Sequence, residues 1–95
     1  MNDKLLMSQA IEGINKYFSK VLAIDGSVGT FHYNKRDGKY YLMFWYKNKK
    51  IRNKIKSHLS KMFDFECVSE DEELLIYNKI TVKDLEAIAT LGKLY

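Results

Sequence analysis

Tyr17–Val28, read as YFSKVLAIDGSV, is the stretch on which the fold turns. An apolar run at helical spacing ends here in an acid, Asp25, passes through Gly26-Ser27 and becomes β-forming sequence at Val28. The exposed carbonyls at a helix C-terminus carry partial negative charge, so a carboxylate there is unfavourable unless a turn or a function requires it. Asp-Gly is common turn chemistry, in which Gly26 takes a positive φ to end the helix and Ser27 bonds locally. The other reading makes Asp25 a placed group.

Upstream, Met7, Ile11, Ile14, Phe18, Val21 and Leu22 recur at three- and four-residue spacing, which predicts a helix over residues 3–24. Leu5, Leu6, Tyr17 and Ile24 widen its apolar face beyond what one partner requires. Either the helix lies across a sheet or a second subunit covers part of it. Downstream, Val28 to Asn34 and Lys39 to Lys47 read as strands joined by an Asp37-Gly38 turn. Along the second strand Tyr40, Leu42, Phe44 and Tyr46 fall on one face, and Tyr41, Met43, Trp45 and Lys47 on the other. With both faces apolar, this strand is expected to be covered on both sides or to bind something with its second face.

Asn48 to Met62 reads as a helix with a narrow stripe of Ile51, Ile55 and Leu59, and no acid lies along it to pair its cations. Phe63, Phe65 and Cys67 alternate into a third strand, and Glu73 to Tyr77 form a fourth. Thr81 with Asp84 makes a capping-box opening for the last helix. The expected chain is one domain over residues 1–95: a helix followed by two hairpin-helix units, 28–62 and 63–95. This αββαββα order gives an α+β two-layer sandwich, a four-stranded mostly antiparallel sheet with its helices on one face.

Charge is unevenly placed. Residues 1–34 are neutral, residues 35–61 carry ten Lys or Arg against Asp37 alone, and residues 62–95 carry eight acids against three lysines. A basic block on one hairpin and one helix is a surface for a polyanion. Lys35, Arg36, Lys39, Lys47, Lys49, Lys50, Arg52, Lys54 and Lys56 are the candidate nucleic-acid contacts. The single cysteine, Cys67, excludes an internal disulfide and a multi-cysteine metal site. His32 and His58 have no ligand-spaced neighbours, no glycine loop fits a phosphate, and no signal peptide or membrane-length apolar run occurs. A soluble cytoplasmic protein is the expectation.

The element order, together with Lys20–Ser27, KVLAIDGS, resembles a single unit of the LAGLIDADG homing endonucleases. Asp25, Gly26 and Ser27 match that family's motif end, and Val21 and Leu22 keep its apolar character. The resemblance implies a homodimer in which two motif helices meet and each Asp25 holds Mg2+ or another divalent metal at a scissile phosphate of double-stranded DNA. It also implies sheets saddled over the major groove, with Asn48 and Lys93 at positions where the family places active-site polar and basic residues. A bound metal would activate water and neutralise charge on the phosphate. Lys20 and Ile24 stand where the family has small residues, and Tyr41, Met43 and Trp45 stand where it has polar base-reading ones. Those three side chains also fit a different class of function, in which a small inhibitor or adaptor of the kind phages and mobile elements encode binds a protein partner through an aromatic sheet face.

Overall fold

The computed structural model describes residues 3–24 and 26–94. Helix α1 (Asp3–Lys16) runs into a π-helical turn at Tyr17–Val21 and is followed by strands β1 (Val28–Asn34) and β2 (Lys39–Trp45). Helix α2 (Lys49–Met62), strands β3 (Glu66–Glu70) and β4 (Leu74–Ile80), and helix α3 (Val82–Leu94) complete the chain. The sheet is antiparallel throughout in the order β1-β2-β4-β3. The second strand of each hairpin is therefore central and the first is at an edge, so the two hairpin-helix units are related by topology as well as by element order.

Each element is built from recognisable local chemistry. The β1–β2 hairpin turns at Gly38, whose φ of +67° suits it to glycine, while Asp37 accepts from the Lys39 N–H at 3.0 Å. Asn48 caps α2 by accepting from the Ile51 N–H at 3.0 Å. The box at α3 is reciprocal: Asp84 accepts from the Thr81 N–H at 2.9 Å, and the Thr81 hydroxyl accepts from the Asp84 N–H at 3.2 Å.

The core lies between one sheet face and the three helices. Phe31, Leu42, Phe44, Leu75, Tyr77 and Ile80 from the strands, with Tyr46 just after β2, meet Ala10, Ile14 and Phe18, then Ile55 and Leu59, then Leu85 and Ile88. At its centre the Phe18 and Phe44 rings meet edge to face at 4.9 Å. Burying each such side chain stabilises the fold by about 2–3 kcal/mol. Tyr46 keeps its hydroxyl satisfied by donating to the Asp71 carbonyl, and burial pushes the Tyr77 phenol upward from its ordinary pKa. No helix among the described residues is long and apolar enough to cross a membrane.

Four details depart from the sequence reading. The helical segment stops at Val21, not Ile24, because Ala23 adopts the left-handed region (φ +53°) and the Ile24 N–H closes back onto the Phe18 carbonyl at 3.0 Å. Gly26, also at positive φ (+79°), shapes the turn into β1 rather than the helix end. Phe63 and Phe65 precede β3 instead of belonging to it, and their rings stack at 4.6 Å. Among the described residues the helices cover strand β2 on one side only, which removes the expectation of cover on both sides.

Candidate nucleic-acid interface

The open face is set by sheet register. Opposite β2, Val28 stands beside Trp45, Thr30 beside Met43 and His32 beside Tyr41, and across the central pair Met43 faces Ile76 while Trp45 faces Leu74. Side chains alternate along a strand, so these residues share the face turned away from the helices. Trp45 is 41% and Val28 52% exposed. His32, Tyr33, Asn34, Lys35, Tyr41, Met43 and Ile76 line a shallow depression near the hairpin turn. The Tyr41 hydroxyl donates to Asp37 Oδ2 at 2.6 Å, which fixes the ring and holds the Asp37 carboxyl below, and the Tyr41 phenol above, their ordinary pKa values. The His32 ring is tied by Nε2 to the Thr30 hydroxyl at 2.9 Å.

The basic block splits into two sets. Arg52 Nε and Lys56 Nζ reach Glu70 of β3 at 3.1 and 2.8 Å, and Lys54 Nζ donates to the Leu22 carbonyl at 2.7 Å, closing the helix end that precedes β1. No acid lies along α2, as read from the sequence, but β3 delivers one to it from the sheet. Three of the nine predicted phosphate contacts are therefore engaged in holding the fold. Lys35, Arg36, Lys39, Lys47, Lys49 and Lys50 form no ion pair with any described residue, although Lys39 lies near enough to Asp37 to help hold that carboxylate ionised.

These six cations stand at the two ends of β2. Lys35, Arg36 and Lys39 surround the hairpin turn, and Lys47, Lys49 and Lys50 follow Trp45, with the Lys47 stem lying against Gly26. Eight strand-like steps separate Lys39 from Lys47, about 26 Å. The acids gather elsewhere. Asp71, Glu72 and Glu73 border Trp45 and Leu74 from the β3–β4 turn, and Glu70, Asp71 and Glu72 face Lys47, Asn48, Lys49 and Arg52 across a second depression.

Of the residues assigned to catalysis, Asp25 lies outside the described residues. Asn48 has its amide oxygen committed to capping α2. Lys93 lies in the last turn of α3 and lines a depression with Gln9, Glu12 and Lys16 that is separate from the one beside Asn48, so the structure does not bring the two together. Ile24, placed by the resemblance on a helix-helix contact, is buried in the core at 6% exposure. Among the described residues no group of three or more His, Cys, Asp or Glu stands close enough to hold a metal ion. Compared with models of protein families, with curated proteins and with solved structures, the chain matches none.

Three structural residues escaped the sequence reading. Asn15 bonds both backbone groups of Gly29, its Nδ2 donating to the carbonyl at 2.9 Å and its Oδ1 accepting from the N–H at 2.8 Å. Gly13 and Gly92 let α1 and α3 cross backbone to backbone, since a Cβ on Gly92 would lie 2.6 Å from Gly13 Cα. A glycine on a helix face opposite a second helical glycine was the available signal for that crossing.

Proposed function

We propose that the chain binds nucleic acid through the open face of its sheet, as a LAGLIDADG-like unit. One observation carries the reading. The sheet face that no helix covers is bracketed at both ends of β2 by cations that make no ion pair with a described residue, with Tyr41, Met43 and Trp45 between them. Phosphates attract such cations and release counterions on binding, so affinity falls as salt rises. The sheet order and the paired hairpin-helix units support the likeness to the endonuclease unit.

The likeness extends the proposal to a homodimer on double-stranded DNA, with Asp25 of each copy holding Mg2+ or another divalent ion. The described residues do not by themselves supply a metal site, so cleavage would depend on Asp25 and its twin. The deciding measurement is fluorescence anisotropy of labelled oligonucleotides, single-stranded and duplex, titrated at several salt concentrations. Binding that weakens steeply with salt is expected, and no binding even at low salt would remove the reading. For the enzymatic part, incubation of plasmid and linear DNA with magnesium or manganese is expected to show cutting that Asp25→Asn abolishes; no cutting by the unaltered chain would end it.

A second reading has an observation of its own. Val28, Trp45, Met43, Leu74 and Ile76 form a continuous apolar strip, which suits a protein inhibitor or adaptor that docks a partner on Tyr41, Met43 and Trp45.

A further inference from the structure

We infer that the open face holds single-stranded nucleic acid, with unpaired bases stacked on Trp45 and Tyr41. This rests on the nucleic-acid reading but takes an unpaired strand, not the duplex of the endonuclease likeness, as the ligand. Reading a duplex through its grooves requires polar side chains that form paired hydrogen bonds with base edges. The middle of this face offers Trp45, Met43, Ile76 and Leu74 instead. Flat aromatic side chains on an inner strand of a four-stranded sheet are suited to the faces of unpaired bases, whatever their sequence. Tyr41 and Trp45 stand four residues apart on one face of a central strand, about 14 Å, which leaves room for more than one base between their rings. The Asp37 bond holds Tyr41 in place before any ligand arrives, and His32 is its cross-strand neighbour.

Charge sets the path. From Lys35, Arg36 and Lys39 a strand can run over His32 and Tyr41, past Met43, to Trp45 and Lys47. The acids Asp71, Glu72 and Glu73 beside Trp45 repel phosphates from the β3–β4 side, so the backbone is confined to the β1–β2 side.

Trp45 is the only tryptophan, so its fluorescence reports on this site directly. The test titrates the full chain with an oligothymidylate of about a dozen nucleotides, its duplex with oligoadenylate, and oligouridylate of equal length. Trp45 emission and the anisotropy of the labelled strand are both followed. Binding of either single strand is expected to be at least about tenfold tighter than binding of the duplex and to quench Trp45. Trp45→Leu and Tyr41→Leu should each weaken it by roughly tenfold, while Trp45→Phe and Tyr41→Phe, which keep a ring, retain most of the affinity. Thermal melts of each variant separate loss of binding from loss of fold, and the phenylalanine pair keeps the comparison informative if either leucine variant unfolds. Duplex binding as tight as or tighter than the single strand would overturn this inference and leave the nucleic-acid reading standing. A Trp45→Leu variant that folds and binds normally would overturn it too. No binding to any of the three would overturn both.

Discussion

Asn15 does at the sheet edge what a fifth strand would otherwise do. Strand β1 is an edge, and the backbone groups of Gly29 that β2 does not use would be buried under α1 without partners. Asn15 supplies one donor and one acceptor in the geometry of a peptide, and its Nδ2 also donates to the Ile11 carbonyl at 2.9 Å. Replacing it with alanine removes both cross-links and leaves a buried N–H and C=O unpaired. Asn15→Ala is expected to lower unfolding stability by about 2–3 kcal/mol, read as a shift of the urea midpoint at constant slope. This role could not be read from the chain, because an Asn inside an amphipathic helix pattern looks like any half-exposed polar residue until the strand it serves is in place. Ala23 was hidden for the opposite reason. The sequence offered Gly26 as the natural left-handed residue, yet the helix closes on a non-glycine three positions earlier, where the Ile24–Phe18 backbone bond and burial of Ile24 outweigh the local strain.

At the scale of elements, two contacts between distant segments hold the layers in register. The α1–α3 crossing depends on the absence of side chains at Gly13 and Gly92. A methyl group at Gly13 would press on the Ile88 carbonyl and lie 3.2 Å from the Gly92 backbone nitrogen. Alanine favours a helix by about 1 kcal/mol over glycine, but overpacking a backbone contact costs about 1–3 kcal/mol or more. Gly13→Ala should therefore lower the melting temperature, whereas the same change at an exposed helical position would raise it. The second contact is the Glu70 pair with Arg52 and Lys56, which ties β3 to α2. Hydrogen bonding from Lys56, with smaller help from the charges of Lys56 and Arg52, holds the Glu70 carboxyl below its ordinary pKa of 4.5. A carboxyl depressed on folding contributes stability that is complete above its unfolded value and is lost as pH falls through the lower, folded one. Glu70→Gln is thus expected to melt lower than the unaltered chain at pH 6, with the difference closing as the pH is taken below 4. A constant difference across that range in a pH series of thermal melts would show that the pair is not what the glutamine removes.

For the whole molecule, what was legible in the chain was periodicity and punctuation: the hairpin strands, the Asn48 and Thr81 starts and the inward row of Leu42, Phe44 and Tyr46 are all local signals. The distribution of charge was legible only as a count along the sequence. Folding divides the basic block, sending Arg52, Lys54 and Lys56 to partners on the helix side and leaving Lys35, Arg36 and Lys39 at the open end of the sheet, because the partners, Glu70 and the Leu22 carbonyl, lie far away in sequence. Cations already paired with a carboxylate have few counterions to release, so a phosphate strand gains little from them. The salt response should therefore come from the turn. Each phosphate neutralised on a single strand contributes about 0.7 to the slope of log affinity against log salt. Replacing Lys35, Arg36 and Lys39 together with alanine is expected to flatten that slope by about 2, and replacing Arg52 and Lys56, the two paired with Glu70, should leave it nearly unchanged. If the helix pair flattens the slope and the turn triple does not, the ligand lies along α2 and not across the sheet. All three replaced side chains of the turn are exposed and away from the core, so unchanged melting of the triple variant makes the comparison one of charge alone.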